Sequence, residues 1–381
     1  MRKLVCSALA LTAATAPGFA SETDWLSLDS ELEALSATLA DNGNAHFGGY
    51  IITSFNYVDD GDSTSGDNQN SADFAVNKAR VYAKKSWDNG YSVKVQGDFA
   101  ASTDGTYDDG DDATDDSVEG GFGGFSIKDA YVRFPAGNLQ GQIGNFKTPF
   151  LRSGLVSSSQ QFFLTRTENG GDWSDRDTGA QINGNFDKLD YTVAAMNSDA
   201  GDTKFLISAR IGYQLTGEEL NKWEGAYGYG TGSPSVYVAV AYADDDASFD
   251  EGETAGLDHN ALGFEIHAVT NTYSISFESV TYGNGGLDDY GPAQAADPAD
   301  AAETSPISGT ATYMLTPETW ELGIRYDDMD DAGDTNKITV GANHYLNGHG
   351  LKWTYQYEMI STDSTSRSED NIFRIGLTAS F

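Results

Sequence analysis

From residue 46 onward the chain alternates apolar and polar residues in recurring runs. "LKWTYQYEM" (351–359) puts Leu351, Trp353, Tyr355, Tyr357 and Met359 on one face and Lys352, Thr354, Gln356 and Glu358 on the other. "WELGIRYD" (320–327) and "FLISARIGYQL" (205–215) repeat the pattern. Successive side chains of a strand point to opposite faces, so each run is a strand with one apolar and one polar side. A run of about 9–11 residues matches a tilted strand that crosses a bilayer. Sixteen runs are found, near 46–57, 76–87, 90–101, 125–136, 138–146, 176–186, 188–197, 204–215, 234–244, 261–269, 272–282, 306–315, 319–328, 336–346, 350–360 and 370–381. The pattern therefore predicts an all-β fold, a transmembrane antiparallel β-barrel of sixteen strands, and an even number is what a bacterial barrel requires.

The connections alternate in length. Short ones such as "GN" (137–138), "NT" (271–272), "TPE" (316–318) and "NGH" (347–349) suit tight hairpins. Long ones lie between them, at 58–75, 102–124, 147–175, 245–260, 283–305 and 361–369. Short turns at one rim and long loops at the other are the arrangement of outer-membrane barrels. "TGEELNKWEGAYGYGTGS" (216–233) breaks the rule, being long where strand count places a short turn. It holds either a further hairpin or an elaborated turn. The last strand, "FRIGLTASF" (373–381), shows Phe373, Ile375, Leu377, Ala379 and Phe381 on one side. As a free edge it would template aggregation. In a closed barrel it pairs with the first strand and gives its apolar row to lipid.

"MRKLVCSALALTAATAPGFA" reads as a secretory signal peptide over 1–20, with basic Arg2 and Lys3, an apolar stretch and a small-residue cleavage site. Cys6, the single cysteine, falls inside it, so no disulfide framework is expected in the exported chain. Residues 21–45 follow as a short N-terminal helical segment, in which Leu28, Leu32, Leu35 and Leu39 keep the spacing of a helical seam. Either an oligomerising or docking helix or a plain amphipathic spacer fits this pattern. Residues 46–381 form the barrel domain.

The formal net charge is −36, and removal of Arg2 and Lys3 makes it −38. Nucleic-acid binding needs a positive footprint and is excluded as an expectation. The acidity concentrates in "DDGDSTSGD" (59–67), "DGTYDDGDDATDD" (104–116) and "DDDASFDEGE" (244–253). None carries the ligand spacing of an EF-hand loop. They read as solvated external loops, with weak divalent-cation bridging to anionic lipid head groups as a secondary use. The five histidines show no metal-binding spacing, and no local motif sets a nucleophile beside a base. No catalytic residue, metal site or cofactor is assigned.

If the apolar rows face lipid, the alternate rows face a lumen. Residues 76–87 then contribute Val76, Lys78, Arg80, Tyr82 and Lys84, residues 90–101 Lys94 and Asp98, and residues 125–136 Asp129, Tyr131 and Arg133, with Arg210, Arg325, Lys352 and Arg374 further round. Cationic rings favour anions. The alternative is that these cations pair with lumen carboxylates such as Asp98 and Glu358 and leave a merely wet channel. The longest connection, 147–175, carries Phe150, Leu155, Phe162, Phe163 and Leu164 beside Arg152, Arg166 and a serine run, Ser157–Ser159. It is too apolar for an exposed tip. Folded into the barrel, it would pack its apolar groups on the wall and turn its polar groups to the pore as a constriction.

At this segment the sequence resembles the phosphate-selective porin O/P family, through "IKDAYVRF" (127–134), "GNLQGQIGNFKTPF" (137–150), "SSSQQFFLTRT" (157–167) and "DRDTGAQINGNF" (175–186). The resemblance is specific over about 125–215 and looser elsewhere. It implies a trimeric sixteen-stranded porin of the bacterial outer membrane, in contact with lipid and lipopolysaccharide, with the loop after the fifth strand folded inward. It implies passage of small inorganic anions, phosphate or polyphosphate preferred. Position by position, Asp129 corresponds to a constriction aspartate, Ser158 and Ser159 to phosphate-contacting serines, and Arg166 to a neighbouring arginine. Where the family has paired arginines in the second strand this chain has Asn77 and Lys78, and lysine cannot clasp phosphate in bidentate fashion. The expected pore residues are Lys78, Arg80, Lys84, Lys94, Asp129, Arg133, Arg152, Ser158, Ser159 and Arg166. Three other readings stand beside this one: a general or cation-tolerant porin dominated by its acidic loops, a plugged barrel or receptor, and, most remotely, an enzymatic barrel.

Overall fold

The computed structural model describes residues 45–60, 70–100, 125–198, 204–230, 232–248, 259–284, 287, 303–331, 333–363 and 370–381. The expected signal peptide and helical segment lie outside these residues, as do most of the acidic loops. Sixteen strands follow one another: β1 Ala45–Asp60, β2 Ser71–Ser86, β3 Ser92–Asp98, β4 Ser126–Ala136, β5 Leu139–Lys147, β6 Arg176–Phe186, β7 Leu189–Asn197, β8 Lys204–Thr216, β9 Ser235–Ser248, β10 Asn260–Val269, β11 Tyr273–Tyr282, β12 Ile307–Thr316, β13 Trp320–Asp328, β14 Asn336–Asn347, β15 Leu351–Ser361 and β16 Asp370–Ser380. They form one closed barrel in chain order. β1 and β16 close it antiparallel, from Tyr50 opposite Ser380 to Asp60 opposite Asp370. Phe381 is zipped to Gly49 by two backbone bonds, 3.1 and 3.0 Å. Closure leaves every strand with two neighbours, which satisfies the backbone without an edge.

The two faces differ as the alternation requires. Val132 lies opposite Ile143, Ile182 opposite Val193, Ile211 opposite Val240, and Ile324 opposite Val340, and all eight are exposed. Exposed aromatics gather near the short turns (Trp87, Tyr91, Phe186, Tyr313) and near the long connections (Tyr57, Phe74, Tyr242, Tyr357). An apolar band between two aromatic belts is the outer surface of a membrane barrel. No described helix is long and apolar enough to cross a membrane, which says nothing about strands.

One feature differs from the sequence expectation, and one alternative it left open is decided. Along β2, Val76 does not belong to the lumen row: it and Phe74 are exposed, and Phe74 packs on Phe55 outside. Asp73 and Asn77 instead point inward to Asn56 and Ser54, while further along Arg80 reaches Asp98. Inward positions fall on odd numbers and then on even ones, so the strand carries an irregularity at 78–79 that period two alone cannot show. The connection after β8 contains no further strand among its described residues and is an elaborated turn.

Between β5 and β6 lie two short helices, α1 Arg152–Leu155 and α2 Glu168–Asp172, with a 3-10 turn at Ser158–Gln160 between them.

Candidate functional site in the barrel lumen

The segment between β5 and β6 turns into the barrel and seats on one side of its inner wall. Phe150 stacks on Trp173 with ring centroids 3.6 Å apart, and Trp173 donates from Nε1 to the Tyr282 hydroxyl at 2.8 Å. Phe146, Leu151, Met196 and Leu206 belong to the same buried cluster. Further along, four wall glycines receive four apolar side chains. A Cβ on Gly263 would strike the Phe150 ring, one on Gly323 the Phe162 ring, one on Gly341 the Phe163 ring, and one on Gly376 the side chain of Leu164. Glycine at these positions lets the facing side chain approach the sheet closely.

Polar contacts fix the same seat. Asn343 Nδ2 donates to Phe162 O (2.8 Å), Leu164 N to Gln356 Oε1 (2.8 Å), and Arg325 Nη1 to Thr165 O (2.9 Å). Arg152 N donates to Glu265 Oε2 (2.7 Å), and Glu168 N to Asp327 Oδ1 (3.2 Å). Lys352 donates to Gln161 O, and Lys337 pairs with Glu168. Several inward charges of β10–β16 thus hold the segment or each other, as in Arg325–Asp327 (2.8 Å) and Arg374–Glu358 (2.8 Å). The cavity bordered by Glu278, His267, Thr310 and Thr312 on this side measures only about 40 Å³.

The opposite wall is open. Cavities of about 780 and 700 Å³ share Lys94, Arg133, Ser157, Gln160 and Lys222 as lining. The second is bordered by seven cationic side chains, Arg80, Lys84, Lys94, Arg133, Lys147, Arg176 and Lys222, and one side-chain carboxylate, Asp129. Some of this charge is spent locally. Arg80 pairs with Asp98 (2.7 Å), and Lys94 and Arg176 share Asp129 (2.5 and 2.6 Å). Lys147 donates to the carbonyls of Gly154 and Val156 in the inward segment. Tyrosine rings back the cations, with Arg80 over Tyr50 (5.9 Å), Lys94 over Tyr82 (5.8 Å) and Arg133 over Tyr131 (4.9 Å).

Of the ten residues expected from sequence, the structure brings Arg80, Lys84, Lys94, Asp129, Arg133 and Ser159 to one cavity. Arg152 borders the other large cavity, and both terminal donations from its Nη2 go to the carbonyls of Asn221 (2.6 Å) and Trp223 (2.8 Å). Arg166 is folded back on its own segment, donating to Ser153 O, to Val156 O (2.7 Å) and to Ser158 Oγ (3.4 Å). Burial lowers the pKa of both guanidinium groups, that of Arg166 to about 10. Lys78 sits half-buried at the β2 irregularity, away from these cavities. Sequence reasoning did not single out Lys147, Arg176 or Lys222. Lys147 and Arg176 are register partners in β5 and β6, at the two points where the inward segment leaves the wall. Lys222 lies in the connection whose length broke the turn rule.

The model of the phosphate-selective porin O and P family matches residues 53–218. Among solved structures, the chain is similar to the anion-selective porin from Comamonas acidovorans, at 13% identity and TM-score 0.57 over 88% of this chain and 99% of that one. It is similar to the outer membrane channel DcaP of Acinetobacter baumannii, at 16% identity and TM-score 0.55 over 88% and 97%. It is also similar to OmpT, an outer membrane protein of Vibrio cholerae, in its trimer form, at 12% identity and TM-score 0.55 over 88% and 99%. Identities this low carry the fold and no more. Comparison with curated proteins finds no match.

Proposed function

We propose, from the premise that residues 53–218 belong to the phosphate-selective porin O and P family, that the barrel is a passive, water-filled outer-membrane channel for small anions. The observation that carries this reading is the open wall, where seven cationic side chains and one side-chain carboxylate border a cavity of about 700 Å³. A small hydrated anion entering there meets Lys84, Lys94, Arg133 and Lys222, with the hydroxyls of Ser157 and Ser159 on the facing edge of the inward segment. Flexible, solvated ammonium groups attract the anion and release it, which conduction requires. The inward segment 147–175 acts as the constriction. It narrows the lumen by filling the β10–β16 side, and Arg152 and Arg166 act mainly as braces that hold its carbonyls.

Phosphate is the preferred class by family. A chain with Asn77 in place of one strand arginine offers fewer bidentate clasps, so the preference over chloride is modest. A cation-tolerant porin is the second reading, favoured by the net charge of −36 and the acidic runs in the connections. A homotrimer in outer-membrane lipid and lipopolysaccharide, exported by a cleaved signal peptide, completes the proposal. The aromatic belts support its membrane placement.

The test is the reversal potential of purified protein in a planar bilayer under a potassium chloride gradient, repeated with phosphate competing. An anion-side reversal with chloride current reduced by phosphate is expected. A cation-side reversal insensitive to phosphate rejects the anion channel in favour of the second reading.

A further inference from the structure

Residues 217–234 join β8 to β9 at the rim where the other turns take two to five residues. A connection this long would normally extend outward. This one crosses the lumen instead. Ala226 N donates to Glu321 Oε1 of β13 at 2.6 Å, and Tyr227 packs on Tyr345 of β14 with ring centroids 4.3 Å apart. Trp223 lies against His349 in the β14–β15 turn (5.7 Å). Ala226 is 1% exposed, as no residue of a dangling turn would be.

Its other surface is fastened to the inward segment. Glu224 N donates to Gln160 O (3.0 Å), Phe162 N donates to Glu224 Oε2 (3.0 Å), and Arg152 holds the carbonyls of Asn221 and Trp223. Two segments that enter from opposite rims therefore meet inside the barrel. Together they close the β10–β15 side and leave the passage along β2–β8. Lys222 stands between the two carbonyls that Arg152 pins, so its backbone is held while its side chain is exposed. It borders both large cavities, and no carboxylate of the described residues forms an ion pair with it.

We infer that the β8–β9 connection is a second constriction element, and that Lys222 is an anion-contacting, selectivity-setting residue at the short-turn side of the passage. This rests on the anion-channel reading and names a residue of that same path. The ligand class is a small inorganic anion held loosely by one ammonium group, with Arg133 and Ser157 bordering the same space.

The experiment compares wild type, K222E, K222Q and K222R by bilayer conductance and reversal potential. K222E is expected to lower the anion-to-cation permeability ratio roughly three- to tenfold, the scale of reversing one charge beside an ion in a watery dielectric. K222R should retain it. K222C labelled with a sulfonate-bearing methanethiosulfonate should lose anion current, and a separate sample labelled with the trimethylammonium-bearing reagent should keep it. An anion-selective wild type whose K222E and K222Q forms match it in conductance and reversal overturns the inference and leaves the proposed function standing. A cation-selective wild type overturns the proposed function. In that case a conductance change on labelling K222C still supports the second constriction, and no change overturns it.

Discussion

Along β13 the inward row reads Glu321, Gly323, Arg325 and Asp327. Along β4 it reads Asp129, Tyr131 and Arg133. Both rows obey the same two-residue period and carry both signs of charge. On β13 the glycine accepts a phenylalanine, the arginine is 2% exposed, and every charge is used against the inward segment or a neighbour. On β4 the tyrosine is half-exposed, the arginine lies over it, and the space beyond is open. The wall β10–β16 is a seat, and the wall β2–β8 borders the open cavities. A charge in a lumen thus has no meaning until the neighbour that covers it, or fails to cover it, is known. A covered pair contributes to rigidity and an uncovered cation contributes to the field an ion feels.

The contrast is broken most directly at Asp327. Its carboxylate is fully buried and accepts from Arg325 (2.8 Å), Ser308 (2.7 Å) and Glu168 N (3.2 Å). Asp327→Asn leaves Arg325 buried without its charge partner and is expected to cost about 3–5 kcal/mol, read as a lower unfolding temperature in detergent. Lys84→Gln on the open wall should cost under about 0.5 kcal/mol in the same assay. Equal losses at the two sites would mean that the open wall is structural too.

Gly323→Val sharpens the contrast by filling a seat. The added branch meets the Phe162 ring, and overpacking of this kind costs about 1–3 kcal/mol. The inward segment should become sensitive to protease and single-channel conductance should rise. Unchanged conductance with an intact segment would show that the seat does not set the pore.

Selectivity should divide the walls the other way. Arg133→Glu is expected to reduce anion preference severalfold with little change in unfolding temperature. Lys352→Gln, which removes a bond to Gln161 O, should lower stability and leave the reversal potential where it was.

The smallest effect is a pH dependence. Burial, with Lys352 nearby, holds the His349 pKa well below its ordinary value. A base that is neutral when buried and protonated when released stabilises the seat fully above about pH 6.5. That contribution is lost as pH falls through the window below. Conductance noise should therefore increase as pH falls below about 6.5 in wild type and stay flat in His349→Phe. The same rise in both would assign it to other groups.

Much of this molecule is readable from a single chain. The strand tally and the direction of nearly every side chain follow from local alternation, because the pleat has a fixed period. The 176–186 run coincides with β6, and most of the other strand ends lie within one or two residues of their runs. The apolar content of 147–175 already argued against an exposed loop. Val76 was misplaced because an irregularity adds one residue that leaves no mark on composition. Lys222 was passed over because its connection was read as an anomaly of length.

What the sequence determined by itself is a closed, sixteen-stranded membrane surface with a polar interior. That information is local, since each residue needs only its two neighbours to know which way it faces. Only the tertiary structure decided which interior residues are covered and which border open space. Phe162 finds Gly323 and Arg152 finds Asn221 across separations of 161 and 69 residues. No local period encodes such meetings, because they depend on how the ring of strands closes and on which segments then fill its centre.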